Sequence, residues 1–206
     1  MINADLVSAF LTIFSAVFVA ELTDKDALLL LAMATRTRPR TVFAAGSLAF
    51  VITTAIIVPA GSLLIIYVPI FWIKMAGGGI MLAYAVWELK RVTGAGEVAK
   101  TEERFLKRAG GLGRRGFLSA VGALATLDLA GDATELLIIV FVAQFRDPLL
   151  VFVSAALALI AATALETILG NRLGRVLSVK RIRYLSIAIF VSLGALIIIS
   201  GLFFSS

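Results

Sequence analysis

Apolar residues in this chain run in long blocks, and the charges and prolines gather in the short segments between them. A block of about 18 residues or more can cross a hydrocarbon core of roughly 30 Å as a helix, because each helical residue rises about 1.5 Å. The pattern predicts membrane-crossing helices over residues 6–34, 41–60, 68–88, 117–145, 149–170 and 184–203. The expected fold class is therefore an all-α integral membrane protein of six transmembrane helices. The Gly- and charge-rich stretch 90–116 divides them into two groups of three, residues 1–89 and 117–206, and its composition suits an exposed linker.

The distribution of basic residues orients this plan. Arg36, Arg38 and Arg40 follow the first predicted helix. Lys90, Arg91, Lys100, Arg104, Lys107, Arg108, Arg114 and Arg115 follow the third. Arg172, Arg175, Lys180, Arg181 and Arg183 follow the fifth. These loops share one face of a six-helix plan, whereas the other face holds Arg146, with Lys74 near the outer end of helix 3. By the positive-inside rule the basic loops are cytoplasmic and both termini lie outside. No Lys or Arg precedes the first apolar run, so that helix is expected to be retained rather than cleaved as a signal. A prokaryotic plasma membrane is the expected location.

The two groups also echo each other. Asp24 is followed by Arg36-Thr37-Arg38-Pro39, and Asp132, at nearly the same distance, by Phe145-Arg146-Asp147-Pro148. Thr54 with Thr163 and Gly61 with Gly170 continue the register at an offset of 109. An odd-numbered helical repeat reverses direction in its second copy, so the expected architecture is two inverted three-helix repeats with helices 1 and 4 meeting near the bilayer centre.

Composition sharpens the chemistry. The 206 residues are 61% hydrophobic with a mean hydropathy of +1.05, which excludes an ordinary soluble domain. The net charge of +6 lies in loops between apolar blocks and does not point to nucleic acid. With no His and no Cys, thiolate and imidazole metal ligands are excluded, along with disulfides and Cys- or His-based catalysis. Any metal here meets oxygen.

Against that apolar background, two acidic clusters stand out. Predicted helix 1 carries Glu21, Thr23, Asp24, Lys25 and Asp26; predicted helix 4 carries Asp128, Gly131, Asp132, Thr134 and Glu135. Helical spacing puts Glu21, Asp24 and Lys25 on one face, and Asp128, Asp132 and Glu135 on another. A charge at a helix centre costs about 2.5–3.5 kcal/mol, while each Leu, Ile, Phe or Val returns only about 0.3–0.6. Pairing with Lys25 leaves most of the six carboxylates uncompensated, so the rest must be protonated, hydrated or coordinated to cations. Carboxylate, hydroxyl and carbonyl oxygens suit calcium, manganese or magnesium. The metal candidates are thus Glu21, Asp24, Asp128, Asp132 and Glu135, supported by Thr23, Lys25, Asp26, Gly131, Thr134 and Thr54. Glu166 reads either as a vestibule acid or as a boundary residue pairing with Arg172. Thr53 and Thr54 can offer oxygens or bond their own backbone, and Gly77-Gly78-Gly79 reads as close helix packing rather than a phosphate loop.

Glu21-Leu22-Thr23-Asp24-Lys25, the basic-Pro turn beyond it and the second Gly131-Asp132 motif resemble the Golgi-type manganese/calcium–proton exchanger family, also catalogued as uncharacterised protein family sixteen. The resemblance covers nearly the whole chain. It implies six helices in two inverted repeats, each bearing Glu-x-Gly-Asp-(Lys/Arg)-(Ser/Thr), whose acids bind the cation. Carried across, Glu21, Asp24 and Lys25 match the first motif, and Gly131, Asp132 and Thr134 the second. Thr23 stands where the first motif has Gly, Asp26 where it has Ser or Thr, Leu129 at the second motif's Glu, and Ala133 at its basic position; Asp128 and Glu135 are placed to restore the missing charge.

The resulting expectation is a non-enzymatic secondary transporter that exchanges manganese or calcium for protons, with no resident cofactor. Its partners would be divalent ions, protons and membrane lipid, with a homo-oligomer compatible. An exporter of amino acids or other organic cations fits the same acidic centre. An intramembrane aspartyl protease would use Asp24 and Asp132, but leaves the remaining carboxylates without a role.

Overall fold

In a computed structural model, residues 4–22, 27, 30, 33–34, 38–91, 117–118, 121–122, 124–126, 129, 133–173 and 179–203 are described. They are helical almost throughout. Six continuous helices occur among them: α1 (Ala4–Leu22), α2 (Pro39–Tyr67), α3 (Ile70–Arg91), α4 (Ala133–Phe145), α5 (Pro148–Leu173) and α6 (Val179–Phe203). The stretches Asp5–Leu22, Pro39–Tyr67 and Pro148–Leu169 are long and apolar enough to cross a membrane; Ile70–Val86, Thr134–Phe145 and Ile187–Phe203 are shorter apolar stretches.

Local chemistry explains where helices start. Pro39 and Pro148 each open a helix, where a missing N–H costs nothing and φ is preset. Asp147 reinforces the second of these starts, its Oδ1 accepting from Leu150 N at 3.0 Å. Arg146 just before it has φ 51, the left-handed turn that ends α4, and its N–H closes on Val142 O at 3.0 Å.

Three predicted boundaries move, the sixth helix starting at Val179 rather than 184. The second helix passes 60 and reaches Tyr67, with Pro59 inside it. Pro59 is exposed, so its ring sits on the outer face, and Gly61 is buried, a Cβ there lying 3.5 Å from Ile139 Cα. Packing on α4 thus holds a segment whose Pro and Gly read as a stop. The fourth predicted helix begins at 117, whereas Leu129 lies in a turn and the continuous helix described there is Ala133–Phe145.

The most extensive packing joins α3 to α6, α2 to α5, and α1 to α5; α2–α4, α3–α4, α1–α4, α4–α5 and a lighter α1–α6 contact follow. Exchanging helices 1, 2, 3 for 4, 5, 6 maps these pairings onto one another, except that α4–α5 has no α1–α2 counterpart of similar extent among the described residues. Directions follow from named contacts. Gly201 meets Lys74 and Met75, Gly78 meets Gly194 and Ile198, and Tyr84 meets Phe190 edge-on at 5.2 Å, so α3 and α6 are antiparallel. Gly61 touches Ile139 and Val142, and Gly77 touches Val140, which brings the α2–α3 and α4–α5 links to one shared end. From that end α5 runs back alongside the incoming α2.

Candidate functional site

Buried polar groups concentrate on four helices. Glu21 closes α1 with none of its surface exposed; Thr53 and Thr54 lie on α2; Thr134 and Glu135 begin α4; Ser154, Thr163, Glu166 and Thr167 line α5. Each of these helices packs on at least two of the others. On α5 the pattern is a stripe at helical spacing, Val151, Ala155, Ala158, Ala162 and Glu166, while Val153, Leu157, Leu165 and Ile168 face outward. Glu166 thus points to the protein interior.

Four threonine hydroxyls in this region bond the backbone of their own helix. Thr54 Oγ1 donates to Phe50 O at 2.7 Å, Thr163 Oγ1 to Leu159 O at 2.8 Å, and Thr167 Oγ1 to Thr163 O at 2.8 Å. Thr53 Oγ1 also donates to Phe50 O, at 3.0 Å. For Thr54, Thr163 and Thr167 the bond satisfies the hydroxyl hydrogen within its own helix and leaves acceptor capacity on the oxygen. A lining with its donors committed to backbone presents acceptors to whatever lies between the helices, and acceptors attract cations or proton donors. Thr134 Oγ1, also buried, has no hydrogen-bond partner among the described residues.

Depth separates the acids. Glu135 lies about 15 Å from the shared end along α4, and Glu166 about 27 Å from it along α5, by helix rise alone. They belong to different layers. Among the described residues no group of three acidic side chains is placed to hold a metal ion together. Of the residues singled out from sequence, Glu21, Thr54, Thr134, Glu135 and Glu166 are described and all are buried. Thr23, Asp24, Lys25, Asp26, Asp128, Gly131 and Asp132 lie outside the described residues, as does the linker from 92 to 116. Leu129, at the position where the second motif carries Glu, is 42% exposed, so that position faces away from the interior.

Four buried polar residues escaped the sequence reading of the site: Ser154, Thr163, Thr167 and Lys74. Thr167 continues the α5 stripe one residue beyond Glu166, a position legible from spacing alone. Lys74, expected merely near a helix end, is only 1% exposed and is enclosed by α6, where a Cβ at Gly201 would lie 3.1 Å from its Cβ. Gly201 leaves room for its stem; that enclosure depends on which helix packs there, which no local pattern encodes.

Gly46 marks a crossing point: a Cβ there would meet Thr163 Cγ2 at 2.9 Å and Leu30 Cδ2 at 3.0 Å. The chain just beyond the helix 1 acids, where Ala27 and Leu30 are buried, thereby meets α2 and α5 next to Glu166.

Comparison with known proteins completes the site. No curated protein and no solved structure matches the chain. The family model described as divalent cation/proton antiporter GDT1 matches it twice, over residues 9–95 and again over residues 116–203. Two matches of one model, together spanning most of a chain of apolar helices with buried carboxylates, show that this protein belongs to the GDT1 divalent cation/proton antiporter family of membrane transporters.

Proposed function

We propose that the protein exchanges manganese or calcium for protons at a mid-membrane carboxylate site between helices 1 and 4 of two inverted three-helix repeats. The observation that carries this reading is the burial of Glu21 and Glu135, which flank the two acidic motifs, on packed helices of a cation/proton antiporter family chain. A buried carboxylate is expensive unless a proton or a cation compensates it, and the two compensations exclude each other at one oxygen. Metal entry therefore expels protons and metal exit readmits them. Glu21, Asp24, Asp128, Asp132 and Glu135 are the proposed ligands; Thr23, Lys25, Asp26, Gly131, Thr134 and Thr54 support them.

The helix pairings, exchange-symmetric apart from α4–α5, the antiparallel α3 and α6, and the two matches of one family model support the inverted repeat, with residues 1–89 and 117–206 as its halves and 90–116 as linker. The positive-inside rule supports cytoplasmic basic loops and outside termini. The metal is cargo rather than a resident group, and no catalytic residue is assigned.

Reconstitution tests the reading. In proteoliposomes enclosing a pH-sensitive dye, external manganese or calcium should drive metal uptake together with lumenal alkalinisation, and an imposed pH gradient should drive metal uphill. Metal flux indifferent to the pH gradient, or no flux of either ion, would overturn it.

A further inference from the structure

Glu166 has no counterpart in the first half of the chain. At the offset of 109 that pairs Thr54 with Thr163, its equivalent on α2 is Ile57. An acid here is thus not demanded by the repeat. It is nonetheless 1% exposed, in an apolar helix, on the stripe that α5 turns toward its neighbours. Insertion energetics set against a carboxylate at such a place, about 2.5–3.5 kcal/mol for a charged residue, argue for a functional reason.

Its position says which. Glu166 lies about 12 Å deeper than Glu135, measured by helix rise from the shared end, and one turn beyond the crossing where Thr163, Gly46 and Leu30 meet. That offset sets the two carboxylates at different levels along the helix pair. The displacement is toward the end of α5 where Arg172 begins the basic loop. Thr163 stands three residues before it and Thr167 one after it on the same helix, their hydroxyl hydrogens committed to backbone carbonyls. Carboxylate plus hydroxyl oxygens form a set that suits a hard divalent cation.

We infer that Glu166 is a separate cation station on the basic-loop side of the central site, through which the divalent ion passes on that side only. The inference rests on the exchange reading above. Because Ile57 occupies the equivalent place in the first half, the station breaks the symmetry of the repeat. The two sides of the membrane therefore see different entry paths. Leu129, turned outward at the position where the second motif has an acid, removes a charge from the second half; Glu166 returns one at a different depth.

The experiment uses the full chain in vesicles of both orientations, with manganese as the probe. Glu166→Gln should raise half-saturation for manganese roughly tenfold from the basic-loop side, the loss of one charge-assisted contact, and leave it unchanged from the opposite side. Manganese should still raise the melting temperature of the detergent-solubilised variant, because the central acids remain. Glu166→Asp, which keeps the charge, should recover most of the affinity and covers the case in which the Gln variant fails to fold. Half-saturation on the basic-loop side left unchanged by Gln, a change of equal size on both sides in either variant, or loss of manganese-induced stabilisation in the Gln variant would each overturn the inference. Absence of manganese flux in the unmodified protein would instead overturn the exchange reading itself.

Discussion

The α3–α6 pair and the α1–α2–α4–α5 group solve the same problem, helix association in lipid, by different chemistry. Between α3 and α6 the backbones come close: a Cβ on Gly78 would sit 2.8 Å from Gly194 O, and one on Gly194 3.0 Å from Gly78 O. In the bilayer, where hydrophobicity cannot drive helices together, such close approach supplies van der Waals contact instead. The other four helices bury Glu21, Glu135 and Glu166 with a set of threonines. Buried acids add nothing to packing that leucine would not supply more cheaply. The contrast teaches that the glycine seam bears on holding the molecule together, whereas the polar group, on the proposed reading, bears on what it carries.

The comparison can be broken by substitution, and the largest effect should come from the acids. Asp132→Asn should abolish cation-driven proton flux in proteoliposomes, by tenfold or more on the scale of lost ligand contacts, while Asp26→Asn should leave most of it. The asymmetry follows from Lys25, which gives the helix 1 cluster an internal cation that the helix 4 cluster lacks. If both variants lose flux equally, the two clusters are not unequal sites.

Next comes the seam. Gly78→Val places carbon 2.6 Å from Ile198 Cγ1 and 2.8 Å from a backbone oxygen that cannot swing aside. It should cost about 1–3 kcal/mol, read as a lower melting temperature in detergent. Gly79→Ala, with nothing within 4 Å of the added carbon, is the control and should not be destabilised by a clash. Equal behaviour of the two would mean that the seam is not tight.

A subtler effect separates the hydroxyls from the acids. Thr163→Val removes a hydroxyl whose hydrogen bonds only its own helix, so the melting temperature should change by the equivalent of about 1 kcal/mol or less. Manganese affinity should fall more than stability does if that oxygen faces the ion path. The smallest effect belongs to Arg146→Gly, which frees the left-handed turn ending α4 of its side-chain strain; a gain of about 0.5–1 kcal/mol is expected, with transport unchanged.

Much of this molecule was legible in its order of residues. Long apolar blocks announce helices because a segment in lipid must satisfy its backbone internally. Charges inside such blocks announce function because their insertion is costly, and the Glu21–Lys25 and Gly131–Asp132 motifs led to the family. Helix ends were less legible. Pro59 and Gly61 read as a stop, yet the second helix runs on to Tyr67 because Gly61 fits against α4.

What the sequence by itself determined, then, was a helical membrane protein with acids in its core and a second half that echoes the first, because period, hydropathy and charge are local properties. Only the tertiary structure decided which helices meet: that α3 lies antiparallel on α6, that Lys74 is enclosed where a helix end promised exposure, and that Glu166 lies in a layer apart from Glu135. Those facts depend on the shapes that two distant segments present to each other, and a glycine or a threonine takes its meaning from the neighbour it touches.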